Sequence, residues 1–174
     1  MNPNKPKALI PTKRSSLITS AFLVSIGLMM SHEVFAKTYL VGDEGPSGAG
    51  TIVFYVDGTG KHGLEAIDSD YSETGLPQTF NWDDAIANAA SYNSPSCPTD
   101  PQLTPWCWHL PTKTELELLY EQRNVVSNNF NKSYWSSTEA VIDSSKAWNQ
   151  RFSDGIQGYN DKISYLSVRF VRVF

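Results

Sequence analysis

The chain has 174 residues, with 14 lysines and arginines against 18 aspartates and glutamates and a formal net charge of −4. This acidic balance argues against a nucleic-acid partner and against a broad electrostatic grip on polyanions. Two cysteines, five tryptophans and eight tyrosines fit one domain with either an aromatic core or an aromatic binding surface.

The N-terminus reads as an export signal. Lys5, Lys7, Lys13 and Arg14 precede an apolar run from Leu17 to Met30, and Val34-Phe35-Ala36 offers a peptidase site, so cleavage after Ala36 is expected. The apolar run is short for a span of about 20 residues, and no later stretch is apolar enough to cross a membrane. No cysteine lies at the cleavage point to carry a lipid. The expected division is a signal peptide over 1–36 and one domain over 37–174, exported to the periplasm, the medium or the cell surface. Four of the 14 cations and one of the 18 acids fall in the leader, which leaves 10 against 17, a net −7. A local basic patch from Arg151, Lys162, Arg169 and Arg172 remains open.

The first predicted element of the domain is a short strand over "KTYLVGDEG". "TIVFYVDGTG" reads as a buried strand entering a hairpin turn at Asp57-Gly58, with "HGLEAI" returning. A polar loop, "DSDYSETGLPQ", leads to a helix over "NWDDAIANAASY". Asn81 can cap it, Asp83 and Asp84 suit its N-terminal dipole, and Trp82, Ile86 and Ala89 or Ala90 share a face. The proline-rich segment "SPSCPTDPQLTPWCW" then precedes "HLPTKTELELLYEQR". Leu110-Pro111 reads as extended chain, because proline disfavours the helical region for the residue before it. Thr112 with Glu115 forms a capping box, Thr114 with Glu117 a second register, and Leu116, Leu119, Tyr120 and Arg123 define the helix face. Aromatic strands follow at "SYWSST" and "KAWNQRF", then a turn over Gly155–Gly158 and a last strand over "SYLSVRFVRVF". Strands, two helices and further strands, without an internal repeat, predict an α+β fold.

Several motifs carry little chemistry. Gly58, Gly60 and Gly63 match a dinucleotide fingerprint, but "LEAIDSDYSE" after them has no helical apolar stripe, so a hairpin explains them better. Lys61 is followed by His62 where a phosphate loop needs serine or threonine. There is no nucleophile elbow, and only His62 and His109 remain after signal cleavage; both read as structural or solvated. Asp68, Asp70 and Glu73 could hold calcium, yet the spacing is not that of an EF-hand and a solvated acidic loop is favoured. In an exported chain Cys97 and Cys107 are expected to form a disulfide; zinc bound by both cysteines with His109 and His62 is the alternative. The expected ligand site lies on the strands and loops from Trp135 to Tyr159, with Trp148, Asn149, Arg151, Gln157 and Tyr159 as its residues and Lys162 joining them. It mixes ring faces for stacking with amides and cations for hydroxyl or anionic groups. Strand alternation predicts that if Trp148 points inward, Asn149 and Arg151 point outward.

In order along the chain, "YLVGDEGPSGAGTIVFYVDGTGKHGLEA", "HLPTKTELELLY", "YWSSTE", "AWNQRFSDGIQ" and "VRFVRVF" resemble the bacterial DUF1566 family, which includes the C-terminal domain of the Legionella collagen-like adhesin. The Leu-Pro-Thr helix also resembles the LPT-x-x-E-W segment of the formylglycine-generating-enzyme family. These resemblances imply a C-type-lectin-like fold, with paired terminal strands and two helices flanking small twisted sheets. They also imply glycan or glycosaminoglycan binding at a cell surface. Neither cysteine lies near the C-terminal end, where those enzymes keep their catalytic thiols, and the Glu-Pro-Asn and Gln-Pro-Asp triplets of calcium lectins are absent. The expectation is therefore a binding module, not an enzyme, with no cofactor and no metal. A non-enzymatic protein-interaction domain is the alternative, and a formylglycine-generating activity ranks behind both.

Overall fold

A computed structural model describes residues 37–75, 78–93, 97, 106–126 and 131–174. The expected signal peptide lies outside the described residues. Strands β1 (Thr51–Val56) and β2 (Gly63–Ile67) form an antiparallel hairpin, and the last strand, β6 (Val171–Val173), joins the free edge of β2. Strands β3 (Ser133–Glu139), β4 (Lys146–Arg151) and β5 (Gln157–Asp161) form a second antiparallel sheet in that order. Between the sheets in sequence come helices α1 (Trp82–Tyr92), α2 (Lys113–Glu121) and the short α3 (Arg123–Val126). The architecture is α+β, as the order of elements predicts.

Both long helices start where their sequences direct. Asn81 Oδ1 accepts the Asp84 N–H at 2.9 Å and caps α1. In α2 the Thr112 hydroxyl accepts the Glu115 N–H at 3.2 Å while the Glu115 carboxylate accepts the Thr112 N–H at 2.8 Å, completing the box. The extended Leu110-Pro111 step also lies against β3. Pro111 O accepts the Ser137 N–H at 2.7 Å, and Thr138 Oγ1 accepts the Lys113 N–H at 2.9 Å. The helix is thereby fixed to the second sheet, and its Leu116 and Leu119 pack toward the first.

Adjacent residues of β3 show how one strand serves two cores, because successive side chains leave opposite faces. Tyr134 enters a cluster with Phe54, Leu64, Leu116, Leu119 and Phe152. Trp135 enters another with Phe80, Trp82, Ala85, Ala147 and Phe170. Each such buried large side chain contributes roughly 1.5–3 kcal/mol. Both indoles in the second cluster have partners: Trp135 Nε1 donates to Phe80 O at 2.9 Å and Trp82 Nε1 to Ser136 O at 2.8 Å. The nitrogens that would make tryptophan costly to bury are thus satisfied.

Four local expectations need correction. Residues 37–45 form turns rather than a strand, with a single bridge between Glu44 and Ile52. Gly42 at φ +98° diverts the backbone out of the pairing direction. The β1–β2 connection is not a two-residue turn at Asp57-Gly58; it is a loop closed by the Asp57 N–H to His62 O bond, with Asp57 Oδ1 accepting from Thr59 N and Oγ1. Gly158 lies inside β5 opposite Asn149, so the last hairpin turns earlier, through Gly155. Finally, "SYLSVRFVRVF" is not one strand. It bridges Phe80 through Leu166 and Tyr134 through Ser167 before β6 begins, and Val171, the first residue of β6, bridges His109. This segment ties α1, β3, the cystine segment and the first sheet together.

Candidate ligand-binding cleft

A cleft of about 700 Å³ opens beside the polar loop after β2. Its floor is an ion-paired cluster assembled from three distant segments. Asp70 accepts from Arg169 Nη2 at 2.8 Å, from Lys132 Nζ at 2.9 Å and from the Tyr134 hydroxyl at 2.9 Å. Arg169, only 3% exposed, also donates to the carbonyls of Asp68 at 3.1 Å and Ile67 at 3.4 Å. Burial alone would push the Asp70 carboxyl up, but Arg169 and Lys132 outweigh it and hold the group below its usual range. Burial beside Asp70 drives the Tyr134 phenol well above its usual range, so it stays a neutral donor. Asp70 is therefore not part of a solvated acidic loop. Both Asp70 oxygens are taken by cations and a phenol, while Asp68 and Glu73 of the same loop are exposed.

One wall of the cleft is aromatic. The Tyr71 ring lies 4.5 Å from Phe170, centroid to centroid, and 5.8 Å from Tyr92, which in turn meets Trp108 edge-on at 5.8 Å. Trp108 is held from several directions. Asn93, the residue ending α1, donates to Trp108 O and accepts from its N–H, both at 2.7 Å. Cys107, directly before Trp108, is disulfide-bonded to Cys97 with a Cα–Cα distance of 5.9 Å. The Arg172 guanidinium sits 5.4 Å from the ring centroid while its Nε donates to the buried Glu65.

His109, on the other side of Trp108, joins this wall to α2. Its Nδ1 lies 2.8 Å from Cys107 O, and its Nε2 lies 3.2 Å from both Glu115 oxygens. A carbonyl and a carboxylate only accept, so the arrangement favours the doubly protonated imidazolium. Burial pulls the His109 pKa down, but Glu115 and the Cys107 carbonyl outweigh it and the net shift is upward. The disulfide and this pairing together overturn the zinc alternative, since neither cysteine offers a thiolate.

The six expected ligand residues do not form one site. Trp148, Gln157 and Tyr159 share one face of β4 and β5, where the Trp148 and Tyr159 rings lie 4.1 Å apart. Lys113 Nζ stands 3.3 Å from the Trp148 ring centroid and covers that face, and Gln157 donates to Lys113 O at 3.2 Å. Asn149 does lie on the opposite face, but it does not reach solvent: it is buried, with its amide donating to Gly158 O at 3.2 Å and Asn160 Oδ1 at 3.0 Å. Arg151 pairs with Asp154 at the turn, and Lys162 pairs with Glu139 at 2.9 Å while stacking on Trp82. Arg169 and Arg172 are likewise paired with Asp70 and Glu65. The four C-terminal cations thus make no common basic patch.

Sequence reasoning missed the aromatic wall, because Tyr71, Tyr92 and Trp108 come from a loop, a helix end and the cystine segment. The available signals were the "CWH" triplet and the aromatic set inside "DSDYSE", each unremarkable alone.

Residues 64–172 match the family model of the Lcl C-terminal domain, more than half of the chain, and the chain belongs to that family. The matched span runs from β2 into β6. No match is found among curated proteins. Among the described residues no helix is long and apolar enough to cross a membrane.

Proposed function

We propose that the domain is an exported, non-enzymatic binding module of C-type-lectin-like architecture that recognises a glycan at a cell surface, in adhesion, through the cleft. The observation that carries this reading is the aromatic wall of Tyr71, Tyr92 and Trp108 facing the polar floor around Asp70. A sugar presents an apolar C–H face and a rim of hydroxyls, and this pairing of surfaces matches both. The disulfide suits an oxidising compartment and so supports export. Membership of a family named for the C-terminal domain of Lcl, which the sequence resemblance identifies as an adhesin, adds to the adhesive reading.

A glycan array probed with the purified protein tests it. The wild type should retain at least one glycan class, and Tyr92→Ala should lose it while a Tyr159→Ala control keeps it. The protein-partner reading has one observation in its favour. Val141, Ile142 and Ile163 are 99%, 81% and 83% exposed, and the bond from Lys162 N–H to Ser145 O places their two turns side by side. A blank array, with capture of an envelope protein that Val141→Ser with Ile142→Ser abolishes, would replace the first reading by the second.

A further inference from the structure

The charges around the cleft bear on which glycan it accepts. Among the described residues, its charged lining consists of Asp68, Asp70, Lys132 and Arg169, two of each sign. Both cations are directed at one carboxylate: Arg169 Nη2 and Lys132 Nζ take the two oxygens of Asp70, and Arg169 Nη1 is bonded to the carbonyls of Ile67 and Asp68. An incoming sulfate would meet Lys132 already paired, with the exposed Asp68 carboxylate nearby. A row of cations continuing the track of a sulfated chain is also missing from the C-terminal region, where Arg151, Lys162 and Arg172 each face a carboxylate. A neutral pyranose meets the opposite situation. Asp68 can accept from two hydroxyls, Lys132 retains ammonium hydrogens beyond the one given to Asp70, and Tyr92, 45% exposed, offers a stacking surface.

We infer that the cleft selects an uncharged saccharide and discriminates against sulfated ones, with Tyr92 as the stacking residue and Asp68 as the hydroxyl acceptor. This rests on the reading of the cleft as a glycan site.

Calorimetric titration of the purified protein with chitotriose, cellotriose, maltotriose and mannotriose, and with a heparin hexasaccharide, separates the two claims. Each titration is run at about 0.01 M and about 0.15 M salt, where the Debye length falls from roughly 30 to roughly 8 Å. One of the neutral sugars should bind with a Kd that changes less than about twofold between the salts. Tyr92→Ala and Asp68→Asn, both at exposed positions and checked for folding by circular dichroism, should each weaken it by about tenfold or more. Binding of the heparin fragment alone, weakening steeply with salt, would overturn the selectivity and leave the glycan reading standing. Neutral binding that survives both substitutions but is lost in Tyr159→Ala would overturn the site assignment. Binding of none of the five would overturn the inference; if a wider glycan array were also blank, the glycan reading would fall with it.

Discussion

Glu115 holds the helix cap and the histidine together, and Glu115→Gln separates those two roles. Glutamine keeps the capping box, since its side-chain oxygen can still accept the Thr112 N–H. What it removes is the negative charge facing His109 Nε2 at 3.2 Å. A largely buried hydrogen bond between charged groups contributes about 1.5–3 kcal/mol, and this is the expected loss where both partners are ionised. The pH dependence follows from the two shifts. His109 is raised above its ordinary 6.5, so its contribution is full below that pH and fades as pH rises through the folded value. Burial pushes Glu115 up, but His109 and Thr112 outweigh it and the net shift is downward; its contribution is full above 4.5 and fades as pH falls through the folded value. Both are therefore complete between 4.5 and 6.5. Urea unfolding followed by tryptophan fluorescence, at roughly pH 5.5 and roughly pH 8.5, gives the difference between wild type and variant. That difference should be larger at the lower pH by about 1 kcal/mol or more. Other titrating groups are common to both proteins and cancel. An equal difference at the two pH values would refute the charged pairing.

Three further perturbations test the scaffold. Thr112→Ala should cost about 1 kcal/mol in denaturant unfolding, while Thr114→Ala, which removes no cap in this structure, should stay within about 0.5 kcal/mol. Gly155→Ala should cost more than about 1 kcal/mol by the same measurement, because φ is +80° and the added Cβ would lie 2.6 Å from the Tyr120 ring. Native protein should give no free thiol by mass spectrometry after alkylation, and replacing both Cys97 and Cys107 by alanine should cost roughly 2.5–3 kcal/mol for a cross-link of sequence separation 10. A native thiol titre of two would contradict the bridge.

The sequence alone determined the features that depend on neighbours in the chain. The caps at Asn81 and Thr112, the extended Leu110-Pro111 step, both long helices, the strands within "TIVFYVDGTG", "HGLEAI", "SYWSST" and "KAWNQRF", and the α+β class rest on local conformational preference and on side-chain period. The cystine followed from having two cysteines in a chain expected to be exported. Tertiary structure decided where polar side chains spend their hydrogen bonds, which period cannot reveal. Alternation placed Asn149 across the sheet from Trp148, but that face is buried too, so the amide turned to β5 rather than to solvent. The acidic look of "DSDYSE" hid Asp70, because Lys132, Tyr134 and Arg169, which bind it, lie more than sixty residues away in sequence. The cleft has the same origin: Tyr71, Tyr92 and Trp108 meet only when the C-terminal segment brings Phe170 beneath them and Asn93 and the disulfide fix Trp108. An aromatic residue declares its size and polarity in the sequence; which face it shows to solvent is settled by distant chain packed against its other side.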